Sequence, residues 1–200
     1  MFIKRLVDIF LTASALIVLS PLLLLTVVVL LCDSKGSILY KQVRVGKNNK
    51  DFCLYKFRTM HMSSDTQSLI TVGDRDSRIT KIGYLLRKTK WDELPQLMNI
   101  LKGDMSIVGP RPEVRKYVDF YTKEQMQVLQ VLPGLTDYAS IEYMNENAML
   151  EKLSNPEQTY INEIMPAKLQ LNLKYIENQS LWVDLKIIAK TVKCILIRRI

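Results

Sequence analysis

Asp92 and Glu93 are adjacent carboxylates at the expected start of a helix, in the run Trp91-Asp92-Glu93-Leu94-Pro95. The free backbone donors and the dipole of a helix start favour the charged form of an acid placed there. Asp92 is therefore expected to be ionised and held in place, which suits a nucleophile or a ligand for a hard cation. Glu93 beside it would complete a metal site or move a proton. An acidic pair in a first turn also serves as ordinary capping, so it gains meaning only from its company. Arg87 precedes the pair, Arg111 is braced between Pro110 and Pro112, and Lys56 and Arg58 close a basic segment upstream. A carboxylate pair among several cations is what a diphosphate with a divalent metal needs, because the cations neutralise phosphoryl oxygens. Taken singly, each cation reads as a surface charge.

No competing catalytic apparatus is visible. His61 is the single histidine and stands in a polar stretch without a nucleophile elbow; neither GxGxxG nor a GxxxxGK run ending in Ser or Thr occurs. Cys32, Cys53 and Cys194 are scattered, with no zinc spacing and no disulfide framework, which points to a cytosolic globular part.

The elements that must position these residues follow from periodicity. Ile38, Tyr40, Val43 and Val45, then Phe52, Leu54, Tyr55 and Phe57, predict two strands around a Gly46 to Lys50 turn. Residues 61–71 read as polar and either helical or mobile, and 73–78 as a charged loop. Ile79, Ile82, Leu85 and Leu86 have helical spacing. A second helix should run from Trp91 or Asp92 through Leu101, with Pro95 in its first turn and Gly103 as its stop. A short helix is expected at 123–131, a turn at Pro133-Gly134, and a largely helical stretch at 156–178 that breaks or restarts at Pro166. The last element, 182–200, sets Trp182, Leu185, Ile188, Val192 and Ile195 against Lys186, Lys190, Lys193, Arg198 and Arg199. Such a helix lies either on a membrane surface or on a core with its basic face solvated.

The chain of 200 residues is 48% apolar, with 28 Lys and Arg against 20 Asp and Glu, a net charge of +8. Much of the apolar content is concentrated in an uncharged run from Ile9 to Leu31, which argues against a wholly water-soluble protein. That run is too long for a signal-peptide core. Its length suits a spanning helix, but Ser20 and Pro21 stand at its midpoint. Proline removes a donor and clashes with the preceding turn, and a serine hydroxyl can bond back to a carbonyl. Two short halves joined by a bend would enter the membrane and return. Lys4 and Arg5 before the run, with Lys35, Lys41, Arg44, Lys47 and Lys50 after it, favour both ends in the cytoplasm. Composition alone leaves spanning and re-entry both open. Because the positive excess flanks the apolar run, it points to anionic lipid or phosphate ligands and away from nucleic acid.

These pieces together resemble the bacterial sugar transferases, the monotopic phosphoglycosyl transferases, over nearly the whole chain. The resemblance is carried by Lys4-Arg5 before a run broken at Ser20-Pro21, by Gln42-Val43-Arg44-Val45-Gly46, and by Tyr55-Lys56-Phe57-Arg58-Thr59-Met60. Its most specific part is the block from Asp92-Glu93-Leu94-Pro95-Gln96-Leu97 through Asn99, Lys102-Gly103-Asp104-Met105-Ser106 and Val108-Gly109-Pro110-Arg111-Pro112. It implies a mixed α/β, mainly helical fold: a re-entrant membrane helix broken at Ser20-Pro21 in residues 1–32, then a cytoplasmic catalytic domain in 33–200 with a small β-hairpin and several amphipathic interfacial helices. It implies transfer of a sugar-1-phosphate from a UDP-sugar to a polyprenyl phosphate such as undecaprenyl phosphate, with release of UMP, as an initiating step of surface glycan synthesis at the cytoplasmic face of the bacterial inner membrane. By the family pattern Asp92 is the nucleophile, forming a covalent phosphosugar intermediate. Glu93 completes the dyad, Mg2+ sits beside both acids, and Arg111, Arg87 and Lys56 or Arg58 hold phosphates. The chain departs from the pattern at Leu132, where relatives carry arginine, and at Asn172, where they often carry an acid. Members without a large N-terminal extension often act on N-acetylated amino sugars. A homodimer is left open. The alternative function is a catalytically silent, membrane-anchored scaffold for other glycan enzymes.

Overall fold

The computed structural model describes residues 2–33, 35–61, 73 and 76–197. The readings for 62–72, 74–75 and 198–200 lie outside the described residues. The architecture is mixed and mainly helical. It opens with a long apolar helix, α1 (Phe2–Asp33), followed by an antiparallel hairpin of β1 (Leu39–Val45) and β2 (Asp51–Phe57). Then come α2 (Lys81–Thr89), α3 (Gln96–Lys102), β3 (Ser106–Val108), α4 (Arg115–Val118), β4 (Gly134–Thr136), α5 (Tyr138–Glu142), α6 (Glu146–Glu151), α7 (Pro156–Thr159), α8 (Met165–Glu177) and α9 (Leu181–Ile197).

Proline at position 21 does not divide α1, which continues through it. The reason is local. Pro21 has no N–H to give to the carbonyl four residues back, that of Ile17. The Ser20 hydroxyl donates to this carbonyl at 2.8 Å. The serine expected to widen a bend thus satisfies the acceptor that proline orphans, and helical structure resumes without a gap.

One face of α1 is buried near its two ends, at Asp8 and Thr12 and at Thr26 and Leu30. Ala15 and Leu16 pack on a cluster of Leu54, Leu97, Ile100 and Met105, while Leu23 and Val27 join Leu30, Phe57 and Leu86. The opposite face leaves Phe10, Ile17, Val18, Leu24, Leu25 and Val28 uncovered. Polar groups bolt the first turns to the body. Lys4 donates to Asp184 and to the Val108 carbonyl at 3.1 Å, Arg5 to the Leu101 carbonyl at 3.1 Å, and Ser106 Oγ to Asp8 at 2.8 Å.

The hairpin pairs Leu39 with Phe57 and Val45 with Asp51, as the alternation of apolar residues anticipates. Its turn uses Asn48 and Asn49 at φ 57° and 60°, a conformation that asparagine tolerates. The parallel pair β3–β4 is not legible in the sequence, since three-residue strands show no period. Gly134 permits it, because a Cβ there would stand 2.1 Å from the Gly109 nitrogen. The expected helix at 123–131 is a 3-10 segment, Gln125–Gln130. The expected restart at Pro166 is correct: a π-turn, Tyr160–Ile164, precedes α8 and widens the helix where proline cannot donate. In α9, Asp184 and Ile187 face inward, whereas Trp182, Leu185, Val192 and Leu196 are uncovered.

Candidate active site

Asp92 and Glu93 do not open an α-helix. They occupy a single 3-10 turn, Trp91–Glu93, wedged between α2 and α3, and the chain enters it through Lys90 at φ 61°. Leu94 and Pro95 then lead into α3, which ends at Gly103 with φ 97°, the expected stop signal. Both acids are buried, Asp92 at 7% and Glu93 at 9% exposure.

Their surroundings divide them. Glu93 Oε1 accepts from Lys56 Nζ at 3.1 Å and from Arg111 Nη2, and its Oε2 accepts from Arg111 Nη1 at 3.2 Å. This is the fork-on-carboxylate geometry that guanidinium favours. Burial by itself would raise the Glu93 carboxyl, but the charges of Arg111, Lys56 and Lys90 and the Arg111 hydrogen bonds hold it well below the usual glutamate range. Asp92 Oδ1, by contrast, is buried with no hydrogen-bond partner among the described residues. Burial first, and the charge of Glu93 second, raise its carboxyl above the usual aspartate range, against Lys56, Lys90 and Arg87. This corrects the expectation of a carboxyl kept low by a helix start: the helix start is absent, and desolvation with like charge governs instead.

The structure brings Lys56, Arg87 and Arg111 to the acids. Lys56 comes from β2, and burial lowers its ammonium pKa while Glu93 opposes the shift. Arg87 comes from the last turn of α2, where its Nε donates to Thr59 Oγ1 at 3.1 Å and its charge is felt by Asp92. Arg111 is fixed at its backbone as well, since its N–H donates to Asp137 Oδ2 at 3.2 Å. Arg58 also lines the open space over the acids, with two of its guanidinium nitrogens turned to backbone carbonyls. Its guanidinium donates to the Leu30 carbonyl at 3.0 Å and the Ser37 carbonyl at 2.9 Å, closing the C-terminal end of α1. A cation is favourable against the exposed carbonyls of a helix end, and this one is 7% exposed.

A cavity of about 620 Å3 opens over the dyad; Lys56, Arg87 and Arg111 line one part of it, and Tyr143, Lys168 and Asn172 another. That volume suits a small organic ligand. Leu132 is not one of its walls, whereas Asn172, the second departure from the family pattern, is. Sequence reasoning missed Asn99, which is fully buried: its Oδ1 accepts from the Tyr55 N–H at 3.0 Å and its Nδ2 donates to the Cys53 carbonyl at 2.7 Å. It also missed Asp137, whose Oδ1 caps α5 by accepting from the Ser140 N–H. Only the second left a signal, an aspartate placed before a short helix.

A divalent ion at the dyad would depend on few protein donors. Among the described residues there is no cluster of three or more metal-ligating side chains. Glu93 already has both oxygens engaged, so Asp92 offers the free carboxylate oxygen. Magnesium is commonly held by one or two carboxylates together with substrate phosphates, and Asp92 with Glu93 alongside fits that pattern.

A buried carboxylate pair under three cations, in a body carrying a long uncovered apolar helix, has the attributes of a protein that handles phosphate esters at a membrane. The chain belongs to the bacterial sugar transferase family, whose family model matches residues 1–198. It is 39% identical over 98% of its length to a UDP-N-acetylgalactosamine-undecaprenyl-phosphate N-acetylgalactosaminephosphotransferase of Aeromonas hydrophila, of which it spans 44%. It is 38% identical over 98% of its length to the uncharacterised sugar transferase EpsL of Bacillus subtilis, of which it spans 89%. It is 35% identical over 96% of its length to a UDP-glucose:undecaprenyl-phosphate glucose-1-phosphate transferase of Caulobacter vibrioides, of which it spans 69%.

Proposed function

We propose that this chain transfers a sugar-1-phosphate from a UDP-sugar to undecaprenyl phosphate, releasing UMP, as an initiating step of surface glycan synthesis. The observation that carries the reading is the division of labour in the dyad: Glu93 is saturated by Arg111 and Lys56, while Asp92 keeps a buried oxygen with no hydrogen-bond partner among the described residues. A poorly solvated carboxylate without hydrogen bonds is a better nucleophile than one stabilised by donors.

In the first step the Asp92 carboxylate attacks the sugar-linked phosphorus. The new P–O bond makes an acyl phosphate on Asp92, the bond to the bridging oxygen breaks, and UMP leaves with the electron pair. In the second step a phosphate oxygen of undecaprenyl phosphate attacks the same phosphorus, Asp92 departs as carboxylate, and a lipid diphosphosugar forms. Lys56, Arg87 and Arg111 lower the repulsion between an anionic nucleophile and an anionic substrate. Glu93 keeps Arg111 and Lys56 in register beneath the phosphates. A Mg2+ ion held by Asp92, with Glu93 alongside, would add charge neutralisation at the diphosphate.

Residues 1–32 are assigned to the membrane and 33–200 to the cytoplasmic face of the bacterial inner membrane. Attachment of both ends of α1 to one body supports a helix whose two ends stay on the same side of the membrane. The test is incubation of the purified protein with Mg2+ and a UDP-sugar labelled at the sugar-linked phosphate. Label should become acid-stable on the protein and UMP should appear; an Asp92→Asn variant should do neither. Turnover by that variant would overturn the mechanism, and a wild-type protein that releases no UMP from any UDP-sugar would favour the scaffold.

A further inference from the structure

Two polar side chains that line the cavity from α5 and α8 each carry a buried oxygen with no hydrogen-bond partner among the described residues. Asn172 is 4% exposed, lines the cavity from α8, and its Oδ1 is buried with no hydrogen-bond partner among the described residues. Ser140 lines the same cavity from α5, and its Oγ is likewise buried and unpartnered. Buried polar groups in folded proteins are nearly always satisfied, so each such exception needs an explanation. Neither is a loop residue on the outer surface, and α5 packs directly on α8. Asn172 lies one turn beyond Lys168, which is itself committed to Glu146 at 2.6 Å, so this wall turns from charged to neutral along α8.

The position of the pair relative to the dyad identifies its ligand. Ser140 N–H donates to Asp137 Oδ1, Asp137 Oδ2 accepts from the Arg111 backbone, and the Arg111 guanidinium grips Glu93 beside Asp92. The backbone of Ser140 is therefore linked through one residue to the arginine beside the dyad, and Asn172 joins this wall through the packing of α8 on α5. In a nucleotide-sugar the group bonded to the attacked phosphate is the sugar; the base lies beyond a second phosphate and a ribose. A hydroxyl and a carboxamide offer donors and acceptors without charge, which matches ring hydroxyls or an acetamido group.

We propose that Ser140 and Asn172 form the subsite that reads the sugar of the donor, and that Asn172 is a specificity-determining residue of this chain. The inference rests on the transferase reading above. Because neither oxygen has a hydrogen-bond partner among the described residues, removing it costs the fold little, and sites built to bind often carry such uncompensated groups.

The test measures binding of UDP, UDP-glucose, UDP-galactose, UDP-N-acetylglucosamine and UDP-N-acetylgalactosamine to the Asp92→Asn protein in membrane nanodiscs with Mg2+. Ser140→Ala and Asn172→Ala are then each added to that background. The protein should bind one UDP-sugar more tightly than UDP. Each added substitution should lower that preference about tenfold, the scale of one or two uncharged hydrogen bonds, while UDP affinity and melting temperature stay unchanged. Comparison of the glucose and N-acetyl donors separates reading of hydroxyls from reading of an acetamido group. An unchanged preference in both variants would overturn the proposal, as would a parallel loss of UDP affinity, which would place the base there instead. UMP release by proteins with Asp92 intact is scored separately. Sugar-selective binding that depends on Asn172 without UMP release would leave the subsite standing and overturn the transferase; UMP release with an unmoved sugar preference would do the reverse.

Discussion

Asp92 and Glu93 are consecutive and about equally buried, yet their carboxyls shift in opposite directions because the cations are not shared equally. Glu93 takes the fork of Arg111 and the ammonium of Lys56, and Asp92 is left with desolvation and a like charge. The sign of the consequence for stability follows. A carboxyl whose pKa is raised on folding favours the protonated state in the fold, so its contribution is fully present below the ordinary aspartate value and is lost as pH rises through the raised one. Above the ordinary aspartate value the buried Asp92 carboxyl therefore costs the metal-free protein stability. Asp92→Asn should raise the melting temperature in chelator at pH 7.5, on the order of 2–4 °C for each kcal/mol relieved, and the gain should shrink towards pH 4. Arg111 and Arg58 separate in the same kind of measurement. Arg111→Ala leaves Glu93 with Lys56 alone, should cost about 2 kcal/mol because part of the side chain already faces the cavity, and should raise donor KM and lower kcat together. Arg58→Ala strips the carbonyls of Leu30 and Ser37 and should lower the melting temperature while leaving donor KM unchanged. The types and order of these residues were legible in the sequence. Their protonation and their division into ligands and braces were not, because both depend on which cation reaches which oxygen across the fold.

Elements bring those side chains together through a few close approaches. β2 carries Lys56, and Asn99 of α3 acts on its edge like a short neighbouring strand, accepting from Tyr55 and donating to Cys53. Asn99→Ala would leave a partly buried N–H and a partly buried carbonyl unpaired, at about 1 kcal/mol each, and let β2 move away from the dyad turn. Melting temperature and kcat should fall together, with Asn99→Asp restoring only the bond to the Tyr55 N–H. On the other side, α2 crosses the chain at Thr59 so closely that a Cβ at Gly83 would stand 2.0 Å from the Thr59 carbonyl oxygen. Gly83→Ala must lift α2, and with it Arg87 one turn further on, away from Thr59 and Asp92. A large loss of kcat with retained membrane attachment, read by UMP release and by vesicle flotation, is the expected outcome. The hairpin, α2, α3 and α8 were readable from period and stop signals. The 3-10 turn at the acids was not, since its geometry is set by Lys90 entering in a left-handed conformation between two packed helices. Glycine at 83 and asparagine at 99 look ordinary in sequence, because what they do depends on partners 24 and 46 residues away.

At the scale of the molecule, the question is how a helix about 48 Å long meets a bilayer whose apolar core is about 30 Å thick. Residues at both ends of α1 are held by one body: Lys4 by Asp184 and Arg5 by the Leu101 carbonyl at the start, Leu30 by Arg58 at the end. A straight crossing would place those ends on opposite sides of the membrane, and the body that binds both would have to be torn from one of them. Each bond also involves a charge, and bringing such groups into hydrocarbon without partners is costly. The uncovered residues Phe10, Ile17, Val18, Leu24, Leu25 and Val28 can instead face lipid from one side, with Trp182, Leu185, Val192 and Leu196 of α9 offering a second apolar strip. Exposed Cys32 is a natural reporter for the C-terminal end of α1. In a Cys53→Ser, Cys194→Ser background, Cys32 and a Phe2→Cys substitution should both resist a membrane-impermeant maleimide in intact cells and both react after permeabilisation. Reaction of one and protection of the other in intact cells would mean that α1 spans, and would require the contacts at one of its ends to be broken in the membrane. Lys4→Ala should sharpen the comparison: it removes the bond to Asp184 that ties the first turn to α9, and should increase protease sensitivity near the N-terminus without exposing Cys32 to the impermeant reagent.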